Sequence, residues 1–514
     1  MLVVGEGKGM AAGKVPGGYS ERLYNEDLRP LEQGERRWTT YSLFCTWMAD
    51  VHSIGGYTMA AGLFFLGLTG WQVFAALIFG ITVVYLLMNL ISIPGQRHGI
   101  PYPVLARISF GVFGANIAAL TRGITAIFWY GIQTWLASVA VQILALQIFP
   151  GLEPLTQSSF AGLSTLGWIC FMVLWLAQLL VLRHGMDSIR TLVDWSGPAI
   201  YVAMFALAIW IWIEAGPQMS FSLGSRDLSM GETIFTFFTA AALVVTYFST
   251  LMLNFCDFTR WAPSERMVKW GNFWGLPVNF VLFSAVVVIT TAGSIAVYGE
   301  AITDPVELVA EIPSTVAVAI GAVTFAVATV GINIVANFVG PSYDLANAFP
   351  KHIDFKRGGL ITAVLAILVM PWHIYNSPIA INYFLGGLGA LLGPIFGIIV
   401  LDYYLIKRER IRVEALYLEE ATEPYYYEKG FNRDALYAFL PASAFALVIA
   451  LVPQFGDASA FSWFIGAAIA GAIYWLIAKR NRTVVLPESA EPAAQTAEPK
   501  RTGAKEAPPE ETLS

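Results

Sequence analysis

The feature that most constrains this chain is a series of apolar stretches, each near the length that crosses a bilayer. They fall at about 39–66, 71–93, 115–148, 161–182, 192–213, 232–254, 271–297, 313–338, 358–372, 378–401, 435–452 and 458–478. About twenty apolar residues span the hydrocarbon core as a helix. None of the stretches alternates strictly as a barrel strand does, and lipid offers no partner to an open backbone. The spans are therefore predicted to be helices. Composition agrees, with 56% of residues hydrophobic and 13% charged, where soluble domains carry roughly a quarter charged. The reading is an all-α polytopic membrane protein with 12 transmembrane helices.

The loops give it a direction. Arg and Lys cluster before span 1 (Arg29, Arg36, Arg37), then at Arg97 and Arg107, Arg183 and Arg190, and Arg260, Arg266 and Lys269. They recur at Lys351, Lys356 and Arg357, at Lys407, Arg408, Arg410 and Arg412, and at Lys479, Arg480 and Arg482. All fall on one side if every span crosses. The positive-inside rule then predicts a multi-pass protein of the cell (inner) membrane with both termini cytoplasmic. Arg122, inside the third apolar run, is expected to lie near the cytoplasmic end of its helix and snorkel. The chain divides into a cytoplasmic segment (1–37), a transporter core (38–405), a linker with two further spans (406–479) and a disordered tail (480–514). The tail is rich in Ala, Glu, Pro and Lys. A net charge of −6 gives no bias toward nucleic acid. The three cysteines show neither metal-ligand spacing nor a disulfide framework. The absence of a Walker-type loop argues against a pump driven by ATP.

Several polar groups lie inside the spans. Trp129 and Gln133 are four apart, so they share one helix face. A flat ring beside an amide suits a small, flat, hydrogen-bonding molecule; it equally suits packing and interhelical contact. Span 1 holds Asp50, His52, Ser53 and the pair Gly55-Gly56. Ionisable residues at mid-membrane are functional by default, and the glycines are a natural place for the helix to unwind. Span 6 carries Thr246-Tyr247-Phe248-Ser249-Thr250, and span 8 carries Asn333 and Asn337 at i and i+4. Discontinuous helices at spans 1 and 6, five spans apart, fit a 5+5 inverted-repeat (LeuT-like) core plus two extra helices, with the site at the repeat interface.

With these motifs in hand, the chain resembles the nucleobase–cation symporter-1 family, the hydantoin, allantoin, cytosine and uracil permeases. The resemblance rests on Asn25–Leu31, Arg97-His-Gly-Ile-Pro-Tyr-Pro103, Phe128–Thr134, Asn254–Arg260, Asn333–Tyr343 and Leu392–Tyr404. Asn25–Leu31, Asp257–Arg260 and Asp344–Asn347 are most similar to the bacterial allantoin permeases within it. It implies two inverted five-helix repeats, a bundle and a scaffold, working by alternating access. It also implies site residues. Trp129 stacks on the substrate ring, Gln133 binds its polar edge, Asn337 binds the opposite edge, and Leu385 caps the pocket. A span-1 contact falls on Ser53 or Ile54, and Asn333 stands one turn before Asn337. The second stacking tryptophan of the hydantoin and allantoin permeases is Phe248 here, which keeps a π face but loses the indole N–H. The span-8 hydroxyls of the hydantoin-permease sodium site are replaced by Gly331 and Ile332. Only backbone carbonyls near Ala49, Ser53 and Ala328 remain, and a hard cation needs several oxygens. Asp50 and His52 are then the candidates for proton coupling.

The expected function is secondary active import of a small planar N-heterocycle, a purine or pyrimidine base, hydantoin or allantoin. The expected partners are that substrate, a coupling cation (H+ favoured over Na+) and the lipid bilayer, with no cofactor and no enzymatic activity. A transporter-like nutrient receptor or an uncoupled facilitator for the same ligands is the alternative.

Overall fold

The computed structural model describes residues 16–183, 186–222, 225–375 and 378–478, so the predicted tail 480–514 lies outside the described residues. The molecule is a helical membrane protein. Its one sheet among the described residues is a two-stranded hairpin, Ser159–Phe160 against Leu163–Ser164. Nine helices among the described residues are long and apolar enough to cross a membrane. The other three expected spans are shorter. Span 1 is broken, span 4 contributes an apolar helix over Thr165–Val181, and span 9 is the 14-residue helix Phe355–Leu368. Span 2 packs along span 6, span 3 along span 8, and span 1 along span 5. Spans 11 and 12 pack on each other and on span 10. Apolar side chains such as Phe79, Leu86, Ile209 and Ile320 point outward, as a lipid-facing surface requires.

Span 1 is two helices, Thr40–Val51 and Ile54–Gly62. The break falls at His52 and Ser53, not at Gly55-Gly56 as the sequence suggests. Caps decide its position. The Ser53 hydroxyl accepts from Gly56 N at 3.1 Å, and Ile54 N donates to Thr329 Oγ1 on span 8 at 3.3 Å. Two of the orphan amides of the second helix are thus satisfied. The glycines instead make space. A Cβ on Gly56 would stand 2.6 Å from the Val51 carbonyl oxygen.

Span 6 does not break at mid-membrane, contrary to expectation. Met230–Asn254 is one helix, followed after Phe255 by a single turn, Cys256–Thr259. Its centre holds no glycine or proline, and the Ser249 hydroxyl bonds back to the Thr246 carbonyl at 2.7 Å. Span 8 does change form. Thr315–Ile332 passes into a π-helical segment, Asn333–Val339, and then into Gly340–Ala348. Such wide turns gather at functional sites.

Arg122 does not snorkel. It is fully buried, with Nη2 donating to the Ala336 carbonyl of the π segment at 2.8 Å and Nη1 3.7 Å from Asp344 Oδ2. Gly340 makes the room, since a Cβ there would sit 1.6 Å from Nη1. A buried charge persists only when paired and hydrogen-bonded, and both partners are supplied by span 8.

The described part of the predicted polar segment 1–37, from Pro16 onward, packs across one end of the bundle. Leu23, Leu28 and Leu31 are buried. The carbonyl of Leu28 accepts from the Tyr417 hydroxyl at 2.6 Å, and that of Leu23 from Arg107 Nη2 at 2.8 Å. Asn25 Nδ2 donates to the carbonyls of Pro350 and Ile353, each at 3.0 Å. Beside them, the hydrogen-bonded Arg29 guanidinium pushes the Glu35 carboxyl down to about 2.

Candidate substrate-binding site

Trp129 and Gln133 lie on one face of the span-3 helix Ala115–Ile148. Around them Asp50, Phe248 and Asn337 close a small cleft of about 30 Å³, lined also by Tyr247, Thr250, Leu251, Ile332 and Ala336. Four distant stretches of sequence therefore converge at the break of span 1, the middle of span 6 and the π segment of span 8. The site contains three rings, two amides and a carboxyl, with only the Trp129 and Tyr247 rings partly accessible.

The Asn337 amide is held in one orientation by a relay that starts outside the cleft. Gln178 Nε2 donates to the Leu174 carbonyl (3.2 Å) and to Thr134 Oγ1 (3.1 Å), so its Oε1 faces inward. Asn333 Nδ2 meets that Oε1 at 2.9 Å, Thr134 Oγ1 at 2.9 Å and the Tyr130 carbonyl at 3.0 Å. Turned over, Asn333 would set its oxygen against two acceptors. Its Oδ1 therefore accepts from Asn337 Nδ2, at 3.0 Å. Asn337 is left with its carbonyl oxygen for a ligand. Asn333 does not line the cleft; it positions Asn337.

Gln133 approaches span 1 at Gly55. A Cβ on Gly55 would stand 2.8 Å from Gln133 Nε2 and 3.3 Å from the Tyr247 hydroxyl oxygen, so both side-chain ends close over that glycine. The Gln133 Oε1 is buried without a hydrogen-bond partner. Tyr247 is the residue that sequence reasoning missed. Its ring meets Trp129 edge to face at 5.9 Å and Phe248 at 5.3 Å, and so stands against both expected stacking residues. It also lines an apolar chamber of about 200 Å³ formed with Met59, Leu63, Leu243 and Leu388. An aromatic next to Phe248 in a hydroxyl-rich run was the only signal for it.

The remaining expected site residues stand further off. Ser53 and Ile54 are buried at the helix break, where they cap and bridge to span 8 rather than line the cleft. Ala328 is buried beside Thr329. His52 does not line the cleft and packs edge to face on Tyr201 (4.4 Å) and Phe283 (5.3 Å). The side chain of Leu385 lies outside the described residues.

A helical membrane fold with an amide-and-aromatic cleft at the break of one helix defines a membrane permease. The family model for permeases of cytosine and purines, uracil, thiamine and allantoin matches residues 30–466. The chain belongs to this family, the nucleobase–cation symporter-1 permeases, and is a transporter rather than an enzyme. It is 36% identical to the allantoin permease of Bacillus subtilis over 88% of this chain and 93% of that one. It is 34% identical to a purine–uracil permease of Arabidopsis thaliana, covering 90% and 79% respectively. Its fold matches that of Mhp1, a nucleobase–cation-symport-1 family transporter solved in a closed conformation with bromovinylhydantoin bound. That match has a TM-score of 0.72 and 24% identity, over 89% of this chain and 96% of the other.

Proposed function

We propose that this chain is a secondary active transporter that imports a small, flat, uncharged N-heterocycle by alternating access. The substrate is a purine or pyrimidine base, a hydantoin or allantoin. The observation that carries this reading is the convergence of Trp129, Gln133 and Asn337 on one buried cleft. Stacking accepts any ring, so the amides set specificity, because an unmatched buried amide is costly. The relatives named for allantoin and for purines and uracil support the same class. In this reading twelve spans cross the membrane with both termini cytoplasmic. Spans 1–10 (38–405) form two inverted five-helix halves, and spans 11 and 12 are accessory.

The test is uptake of labelled allantoin, hydantoin and uracil by cells expressing the chain, with Trp129→Ala and Gln133→Ala at equal expression. The expected result is loss of uptake of the preferred substrate in both variants. Undiminished transport by both removes these residues from the site.

We assign coupling to protons over sodium, through Asp50. Gly331 and Ile332 supply no hydroxyl to a cation, and Asp50 is a buried carboxyl in the cleft, whereas His52 faces aromatic rings. Uptake is expected to survive replacement of external sodium by choline and to fall with a protonophore. Loss of uptake in choline alone sinks this assignment.

A further inference from the structure

Asp50 sits in the substrate cleft itself, in company with Gln133 and Asn337. It is 5% exposed, its Oδ2 has no hydrogen-bond partner, and no ion pair reaches it among the described residues. A buried polar atom left unpaired in a binding cleft marks a place where a ligand supplies the missing partner. The atoms beside it are of the same kind. The relay from Leu174 through Gln178 and Asn333 leaves Asn337 with its Oδ1 toward the cleft, and Gln133 presents an unpartnered Oε1. Asp50 and Asn337 thus offer acceptor oxygens from spans 1 and 8 to one small space, beside the Gln133 amide of span 3, which carries both donors and an acceptor. A carboxyl keeps an acceptor oxygen whether or not it carries a proton, so this pattern does not depend on the coupling state.

We propose that Asp50 is a third substrate ligand that accepts a ring N–H, so that the cleft selects heterocycles presenting N–H groups on more than one edge, as cyclic imides and ureides do. This rests on the reading of the cleft as a heterocycle site and adds the residue that discriminates among such rings. Gln133 and Asn337 hold two edges; Asp50 reads an N–H between them. Methylating that nitrogen replaces a donor with a group that leaves the carboxyl unpaired and crowds it.

The experiment is thermal stabilisation of the purified full-length protein by hydantoin, 1-methylhydantoin, 3-methylhydantoin, uracil and 1,3-dimethyluracil, since a ligand raises the unfolding midpoint according to its affinity. Wild type, Asp50→Leu (similar in volume, with no acceptor) and Asp50→Asn (one acceptor kept) are compared. Wild type is expected to bind at least one parent ring about tenfold or more tightly than an N-methylated form. In Asp50→Leu that preference collapses to within about threefold, because the parent weakens while the methylated ring does not. Asp50→Asn retains part of it. With no partner lost, Asp50→Asn melts no lower than wild type in the absence of ligand, so it remains usable if Asp50→Leu fails to fold. If wild type discriminates and both variants keep the full ratio, Asp50 is not a ligand and the heterocycle reading stands. If wild type binds none of these probes, nor allantoin or hypoxanthine added to the same series, the heterocycle reading falls and takes this inference with it.

Discussion

A single methyl group at Gly55 tests how the site is held. Its Cβ would press on Gln133 Nε2 and approach the Tyr247 hydroxyl. Both are ends of side chains that can swing, so Gly55→Ala is expected to fold and to misplace the amide. Misplacement by about 1 Å lowers binding and turnover strongly. The KM for uptake of the preferred heterocycle should rise about tenfold or more, read from initial rates; an unchanged KM means Gln133 does not hold substrate. Arg122 is a harsher case. Arg122→Ala leaves Asp344 buried without its cation, a loss of about 3–5 kcal/mol, visible as a lower unfolding midpoint in detergent. Adding Asp344→Asn should recover part of it; no recovery means the pair is not what stabilises Arg122. Of these residues, Trp129, Gln133 and Asn337 stood out as a ring and amides at helical spacing, a pattern that packing shares, so their proposed roles came from the family resemblance and not from spacing. Tyr247 did not stand out, since an aromatic at mid-span has the same pattern whether it packs or closes a cleft. The inward turn of Arg122 was hidden too, because its partner Asp344 and the space at Gly340 lie far along the chain.

At the scale of elements, the break in span 1 shows what hydropathy leaves undecided. Gly55-Gly56 marked the right neighbourhood, but a helix ends where its orphan amides find partners, and those partners are the Ser53 hydroxyl and, from another span, Thr329. The glycines serve close approach instead. Ser53→Ala and Thr329→Val should each destabilise the second half of span 1 by about 1 kcal/mol. Amide hydrogen exchange over Ile54–Gly62 checks this, with faster exchange expected there than elsewhere; uniform exchange across the protein would exclude a local cap. Span 6 misled for the converse reason. Its Thr and Ser suggested an opening, yet the Ser249 hydroxyl is satisfied within the helix. The π segment at Asn333–Val339 has no hydropathy signature at all. It is visible in hindsight through what it does, presenting Asn337 to the cleft and the Ala336 carbonyl to Arg122.

For the molecule as a whole, the apolar stretches made the helical membrane architecture legible, because bilayer thickness acts on every span alike. They could not reveal how the polar ends are tied together, which depends on single contacts between distant segments. Arg107 is the chief of these. Its guanidinium donates to the Leu23 carbonyl (2.8 Å), the Leu416 carbonyl (2.9 Å) and Asn347 Oδ1 (2.7 Å), joining the N-terminal segment, the end of span 8 and the segment after span 10. It is fully buried, and the Tyr417 ring faces it at 5.2 Å. A planar fork reaches three acceptors in different directions, which a lysine ammonium at the end of a flexible stem cannot match. Arg107→Ala strands all three acceptors, a loss of about 3 kcal/mol or more, and Arg107→Lys should fall between it and wild type. Because the cleft shares none of these contacts, the stabilisation conferred by a bound heterocycle should persist in both variants, measured as the shift in unfolding midpoint with and without ligand. The same variants should make the N-terminal segment more susceptible to limited proteolysis near Leu23. Cleavage there at the wild-type rate, with an unchanged midpoint, would show that the segment is anchored by its other contacts, those of Asn25 and Leu28, and that Arg107 only fills the space between them.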